Sequence, residues 1–138
     1  MSLQQTLTTS FKEQCLKGVQ DLSVDTLKMA LYTANAALGP DTTVYTATGE
    51  VTGTGYSAGG IVLTGVTVMT SGTTAYVDFA SPVWNPASFT ARGALIYNAS
   101  KGNKSIAVLD FGADKTATNT FTVQMPANTA SAALIRFA

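Results

Sequence analysis

The chain of 138 residues contains no histidine and a single cysteine, Cys15. Without histidine there is no imidazole for acid/base catalysis, no Ser-His-Asp or Cys-His nucleophile and no His-ligated zinc. One cysteine allows neither an intrachain disulfide nor a cysteine-rich metal site. Charge is scarce too: Asp, Glu, Lys and Arg make up 12% of the residues, eight acidic against eight basic. No basic run exists to neutralise phosphates, so no nucleic-acid partner is expected, nor any electrostatic pull toward anionic membranes. No apolar run approaches the ~20 residues of a membrane span, and the N-terminus lacks the signature of a signal peptide. A soluble chain made in the cytosol is the expectation.

What is present is hydrophobic and small. Apolar residues reach 46% of the chain, and a single domain of this length hides roughly two-thirds of the surface its unfolded chain exposes. Thr, Ser, Ala and Gly stand where Lys, Glu and Arg usually cover a surface, and threonine favours strands. A near-neutral surface protects poorly against self-association. That property suits an assembly subunit better than a free monomer.

Periodicity predicts an all-β fold, a jelly roll or β-sandwich of about eight antiparallel strands led by one short helix. Residues 1–9 read as an arm carrying Leu3 and Leu7. Ser10 and Glu13 have capping-box spacing, and Phe11, Cys15, Val19 and Leu22 recur on one helical face, so a helix is expected over Ser10–Leu22 with Cys15 buried on it. Residues 1–22 thus form an arm and helix, and 23–138 the β-domain, which is expected to fold without them. Leu27, Met29 and Leu31 alternate with Lys28, Ala30 and Tyr32, predicting a strand with one face in the core. Further strands are expected near Val51, over Ile61–Met69 with a bulge at Gly65, and around Ala75, Val77 and Phe79 after a Ser71-Gly72 turn. Pro82 and Pro86 place Val83 and Trp84 in a loop. Phe89–Asn98, Ile106–Phe111, Thr116–Met125 and Ala132–Phe137 complete the set, with a hairpin tip at Lys101–Lys104. Ala75–Phe79 echoes Ala107–Phe111 over only five residues, too short for a repeat.

Little chemistry is on offer. Asp78 and Asp110, each just before a Phe, are the one carboxylate pair that a glycosidase reading could use; the plainer alternative is turn capping or solvent exposure at strand ends. Gly53–Gly60 lacks the Gly-Lys-Ser/Thr ending of a phosphate-binding loop and reads as a turning loop. The spacing around Asp110 and Asp114 does not match a calcium loop. No cofactor, metal or catalytic residue is therefore assigned. Trp84 either closes one end of the core or offers an exposed aromatic to a sugar or protein partner. The residues assigned to partner contact are Leu3, Leu7, Phe11, Val83 and Trp84, with the arm ordering against a neighbouring subunit.

Four collinear strings carry a family resemblance: Thr26-Leu27-Lys28-Met29-Ala30-Leu31-Tyr32-Thr33, Gly49-Glu50-Val51-Thr52-Gly53-Thr54-Gly55-Tyr56, Phe89-Thr90-Ala91-Arg92-Gly93-Ala94-Leu95-Ile96-Tyr97-Asn98 and Ala107-Val108-Leu109-Asp110-Phe111-Gly112. The chain resembles small bacteriophage virion structural proteins. The resemblance implies a non-enzymatic capsid cement or decoration protein, a jelly-roll-like module on the outer shell. Its partners would be the major capsid protein and itself, a dimer being the commonest symmetric arrangement. A head-fibre or tail protein touching host glycans is the alternative role, and the virion surface the expected location.

Overall fold

The computed structural model describes residues 3–126, 129 and 131–137, so the first two residues of the expected arm lie outside the described residues. In chain order the elements are β1 (Thr6–Leu7), α1 (Thr9–Leu16), β2 (Leu27–Tyr32), β3 (Ile61–Val62), β4 (Thr67–Ser71), β5 (Thr74–Asp78), β6 (Val83–Trp84), β7 (Phe89–Asn98), β8 (Lys104–Ala117), β9 (Phe121–Thr122) and β10 (Arg136–Phe137). They form a five-stranded sheet ordered β1-β8-β7-β2-β3, a three-stranded sheet ordered β10-β5-β4 and a β6-β9 ladder. The named strand pairs are all antiparallel. These pairings, with α1 the one α-helix among the described residues, establish the all-β class, while the strand order does not extend to a jelly-roll assignment.

One core joins the sheets. Met29, Leu31, Ala94 and Ile96 of the large sheet pack with Val77, Trp84, Phe121 and Ile135. Ala30, Tyr32, Leu95, Tyr97 and Val108 point to the opposite face, where Ala36 and Leu38 cover them. The expectation of one buried face for Leu27–Tyr32 is thereby corrected: Ala30 and Tyr32 are as fully buried as Met29 and Leu31. The loop after β2 folds back over the sheet, and a strand enclosed on both sides loses the polar alternation of a half-buried one.

The helix is shorter than expected and starts earlier. Thr8, not Ser10, is the N-cap, its Oγ1 accepting the Phe11 amide at 3.2 Å. The Thr8 amide donates to the Ile106 carbonyl at 3.0 Å, which holds Thr8 extended and leaves Ser10 inside the first turn. Gly18, at φ 70°, ends the helix rather than sitting within it, because a left-handed residue past the cap satisfies the last carbonyls. Val19 and Leu22 therefore lie beyond the helix. Cys15 is only half-buried.

Residues 3–22 pack onto the β-domain, with β1 in its large sheet, rather than forming a detached arm. β1 pairs with β8, Leu3 bridges Leu38, and Phe11 is 1% exposed. A buried polar network fastens the segment further. Asn98 donates to Gln20 Oε1 at 3.1 Å and Asp25 Oδ2 at 2.8 Å, Lys101 pairs with Asp25 at 2.9 Å, and Ser105 donates to Thr8 Oγ1 at 2.9 Å.

Expectations for the strands change in several places. Ile61–Met69 divides at Gly65, where the chain crosses from the large sheet to the small one instead of bulging. The stretches expected at Ile106–Phe111 and from Thr116 join into β8, because the ten-residue β7 supplies a partner along it and a register shift after Ala91 takes up the irregularity. Val83 and Trp84 form β6 rather than a loop: neither is proline, and the Pro82 carbonyl accepts the Val123 amide at 3.1 Å. Near Val51 there is a bridge, Tyr32 to Glu50, rather than a strand.

Candidate functional site

Of the residues assigned to partner contact, Trp84 is 5% exposed and Phe11 1%. The Trp84 ring stacks near Tyr56 (centroids 6.4 Å, 28°) and meets Phe121 edge-on (6.1 Å, 76°). Both are core residues of this chain, which corrects their placement on a contact surface. An aromatic enclosed in this way cannot stack on a sugar. Leu7 packs at the margin of the main core and Leu3 against the Tyr32 cluster. Val83 alone of the five is an exposed side chain, at 44%.

The carboxylates nominated for chemistry sit apart in the topology. Asp78 is on β5 of the small sheet and Asp110 on β8 of the large one. Asp110 accepts the Gly112 amide at 2.9 Å and pairs with Arg92 at 3.3 Å. Those two contacts, the Gly112 amide first, outweigh partial burial and hold its carboxyl below the usual range. Asp78 Oδ1 is buried with no hydrogen-bond partner among the described residues. Among the described residues, no group of three or more Cys, Asp or Glu is placed to hold a metal ion, and no helix is long and apolar enough to cross a membrane.

A second polar constellation lies around Glu50. Its Oε1 accepts the Tyr45 hydroxyl at 2.5 Å, and its Oε2 accepts the Tyr56 hydroxyl and the Gly59 amide, the latter at 2.8 Å. Tyr56 in turn accepts the Leu31 amide at 2.9 Å, and Tyr97 donates to the Gly59 carbonyl at 2.5 Å. Burial, reinforced by the Glu50 carboxylate, pushes the Tyr45 and Tyr56 phenols well above their ordinary value. They therefore remain protonated donors. A carboxylate whose two oxygens already accept three hydrogen bonds acts as an anchor, here of the glycine-rich loop against β2. That loop comes very close: a Cβ on Gly60 would lie 1.8 Å from the Met29 carbonyl oxygen. The sequence signal for this site is that Glu50 is the only acidic residue between Asp41 and Asp78.

A partly apolar surface lies elsewhere. A cleft of about 320 Å³ opens between the end of α1 and the small sheet, lined by Phe11, Cys15, Leu22, Val68, Ile135 and Phe137, with the charged residues Asp21 and Arg136 also on its wall. Burial raises the Cys15 thiol above its ordinary value, which keeps it protonated and poorly nucleophilic. Near the cleft, Leu16 is 91% exposed and Phe137 44%. Beside it runs β4, Thr67-Val68-Met69-Thr70-Ser71, exposed at every residue and bearing no charge. Sequence reasoning placed this segment in a strand and missed its exposure, since its β-branched composition is also that of a buried strand. Comparison with known proteins found no matching family model, no matching curated protein and no matching solved structure.

Proposed function

We propose that this chain is a non-enzymatic bacteriophage virion structural protein, a capsid cement or decoration subunit that binds the major capsid protein on the outer shell. The observation that carries the reading is the exposed apolar surface of the uncharged strand β4 beside a largely apolar cleft, with Leu16, Val68, Met69 and Phe137 all at least 40% exposed. Exposed apolar groups of this kind mark association surfaces. The four collinear strings that resemble phage virion proteins supply the identity of the assembly. The mechanism is mass action: a subunit that binds only the assembled lattice stabilises it by the free energy of binding.

Mixing the purified protein with undecorated shells is the direct test. Saturable binding and a raised shell disruption temperature are expected. Absence of binding overturns the cement role, and a particle reconstruction that locates the subunit on a fibre or tail reassigns it within the virion.

A further inference from the structure

The hairpin register determines which way each backbone group of β4 faces. Ser71 and Thr74 flank the two-residue turn Gly72-Thr73, so they form a hydrogen-bonded pair, and the pairs alternate from there. Met69 with Tyr76 and Thr67 with Asp78 are then hydrogen-bonded, while Thr70 and Val68 turn their amides and carbonyls away from β5. The other side of the sheet agrees: Val77, opposite Val68, donates its amide to the carbonyl of Ile135, just before β10, at 3.0 Å instead of to β4. β4 is the last strand of its sheet. Among the described residues no hydrogen bond reaches the outward groups of Val68 or Thr70.

Natural sheet edges of this length are normally blunted by lysine, proline, a bulge or a cover. β4 has no charge and no proline, and every residue is exposed. The other edge strands of the two larger sheets, β1, β3 and β10, are two residues each, and β10 carries Arg136.

We propose that the free edge of β4 pairs antiparallel with β4 of a second copy of this chain, about a two-fold axis at Met69. The strand is self-complementary in this register. Val68 faces Thr70 of the second copy and Thr70 faces its Val68, both as hydrogen-bonded pairs, and the two Met69 residues form the closer non-hydrogen-bonded pair between them. A strand without charge meets no like-charge repulsion when it faces itself, whereas a chain presenting Lys or Asp at this edge would. The axis is perpendicular to the sheet, so a six-stranded sheet β10-β5-β4-β4-β5-β10 results, with the clefts of both copies on one side. Val68, a cleft-lining residue 46% exposed in the single chain, becomes a central contact. The pairing is independent of shell binding, because it is a property of the free protein.

Sedimentation equilibrium of the full chain tests it. A concentration-dependent dimer is expected. Thr70→Pro removes an outward amide and spares the β4–β5 ladder, a position where an edge strand tolerates proline. It should weaken the dimer by about tenfold or more, because each copy loses a hydrogen bond, with circular dichroism unchanged. Val68→Lys, which puts like charges on both copies beside the axis, should do the same and serves if Thr70→Pro fails to fold. In a Cys15→Ser background, Met69→Cys should form a disulfide-linked dimer on mild oxidation, since residues in such pairs lie within disulfide reach, whereas Val68→Cys should cross-link far less. A monomer at every concentration, or a dimer unmoved by both edge variants while they remain folded, overturns the proposal. A dimer that ignores shells overturns only the cement role.

Discussion

Glu50 is a charged residue with its oxygens occupied by Tyr45, Tyr56 and the Gly59 amide, and the consequences of that arrangement are measurable. Glu50→Gln keeps the shape but converts the acceptor pair into one acceptor and one donor facing other donors. A loss of about 1–3 kcal/mol is expected, the scale of a charged hydrogen bond left badly paired, read as a lower urea midpoint. The phenols supply a second prediction. Burial and the carboxylate raise the folded Tyr45 and Tyr56 above the ordinary tyrosine value, which lies near ~10. With a raised folded value the stabilisation is complete below the unfolded value of ~10 and is lost as pH rises from there through the folded one, because the unfolded state ionises first. Tyrosinate absorbance should therefore appear together with loss of β-sheet signal. Glu50→Ala should bring the onset of ionisation to lower pH. A lone acid in a long uncharged stretch was visible in the sequence; its tyrosines were not assignable, because Tyr45, Tyr56 and Tyr97 are gathered only by the folding of a loop onto a sheet.

At the scale of the element, α1 and β1 hold the lesson. Ser10 with Glu13 satisfies a capping pattern, yet Thr8 caps the helix because its amide is held by Ile106, a partner distant in sequence and invisible to local spacing. The N-terminal segment contributes a strand to the large sheet and Phe11 to the core. Deletion of residues 1–22 is accordingly expected to abolish cooperative unfolding, where the periodicity alone predicts a β-domain that survives; a thermal melt of the truncated chain decides. The network behind it is sensitive to acid. Burial raises the Asp25 carboxyl, but hydrogen bonds from Asn98, Lys101 and the Asp21 amide outweigh it and leave the group below its ordinary value. Its side chain is only 4% exposed, against 36% for Lys101. A depressed carboxyl stabilises the fold above its unfolded value of ~3.9, and that contribution is lost as pH falls through the folded one. The melting temperature should decline below about pH 4, and Asp25→Asn should lower the neutral value while flattening that decline.

For the whole molecule the scarcity of charge is the governing property. Eight acidic and eight basic residues cancel, and the ion pairs that form, such as Lys17 with Glu13 and Arg92 with Asp110, leave no concentrated field of one sign. Association through β4 and the cleft rim is then driven by backbone pairing and apolar burial. The dimer constant should hardly change between low and high salt, whereas an electrostatic interface would weaken steeply; sedimentation at two ionic strengths measures this. The sequence by itself determined the all-β class, because period-two alternation and β-branched composition are local consequences of the pleat. It also determined the absence of imidazole chemistry. Only the tertiary structure decided that Trp84 and Phe11 are core, that β2 is enclosed on both faces and that β4 is left bare. Exposure depends on which distant segments come to lie against a strand, and an apolar residue reads the same in sequence whether its own chain covers it or another must.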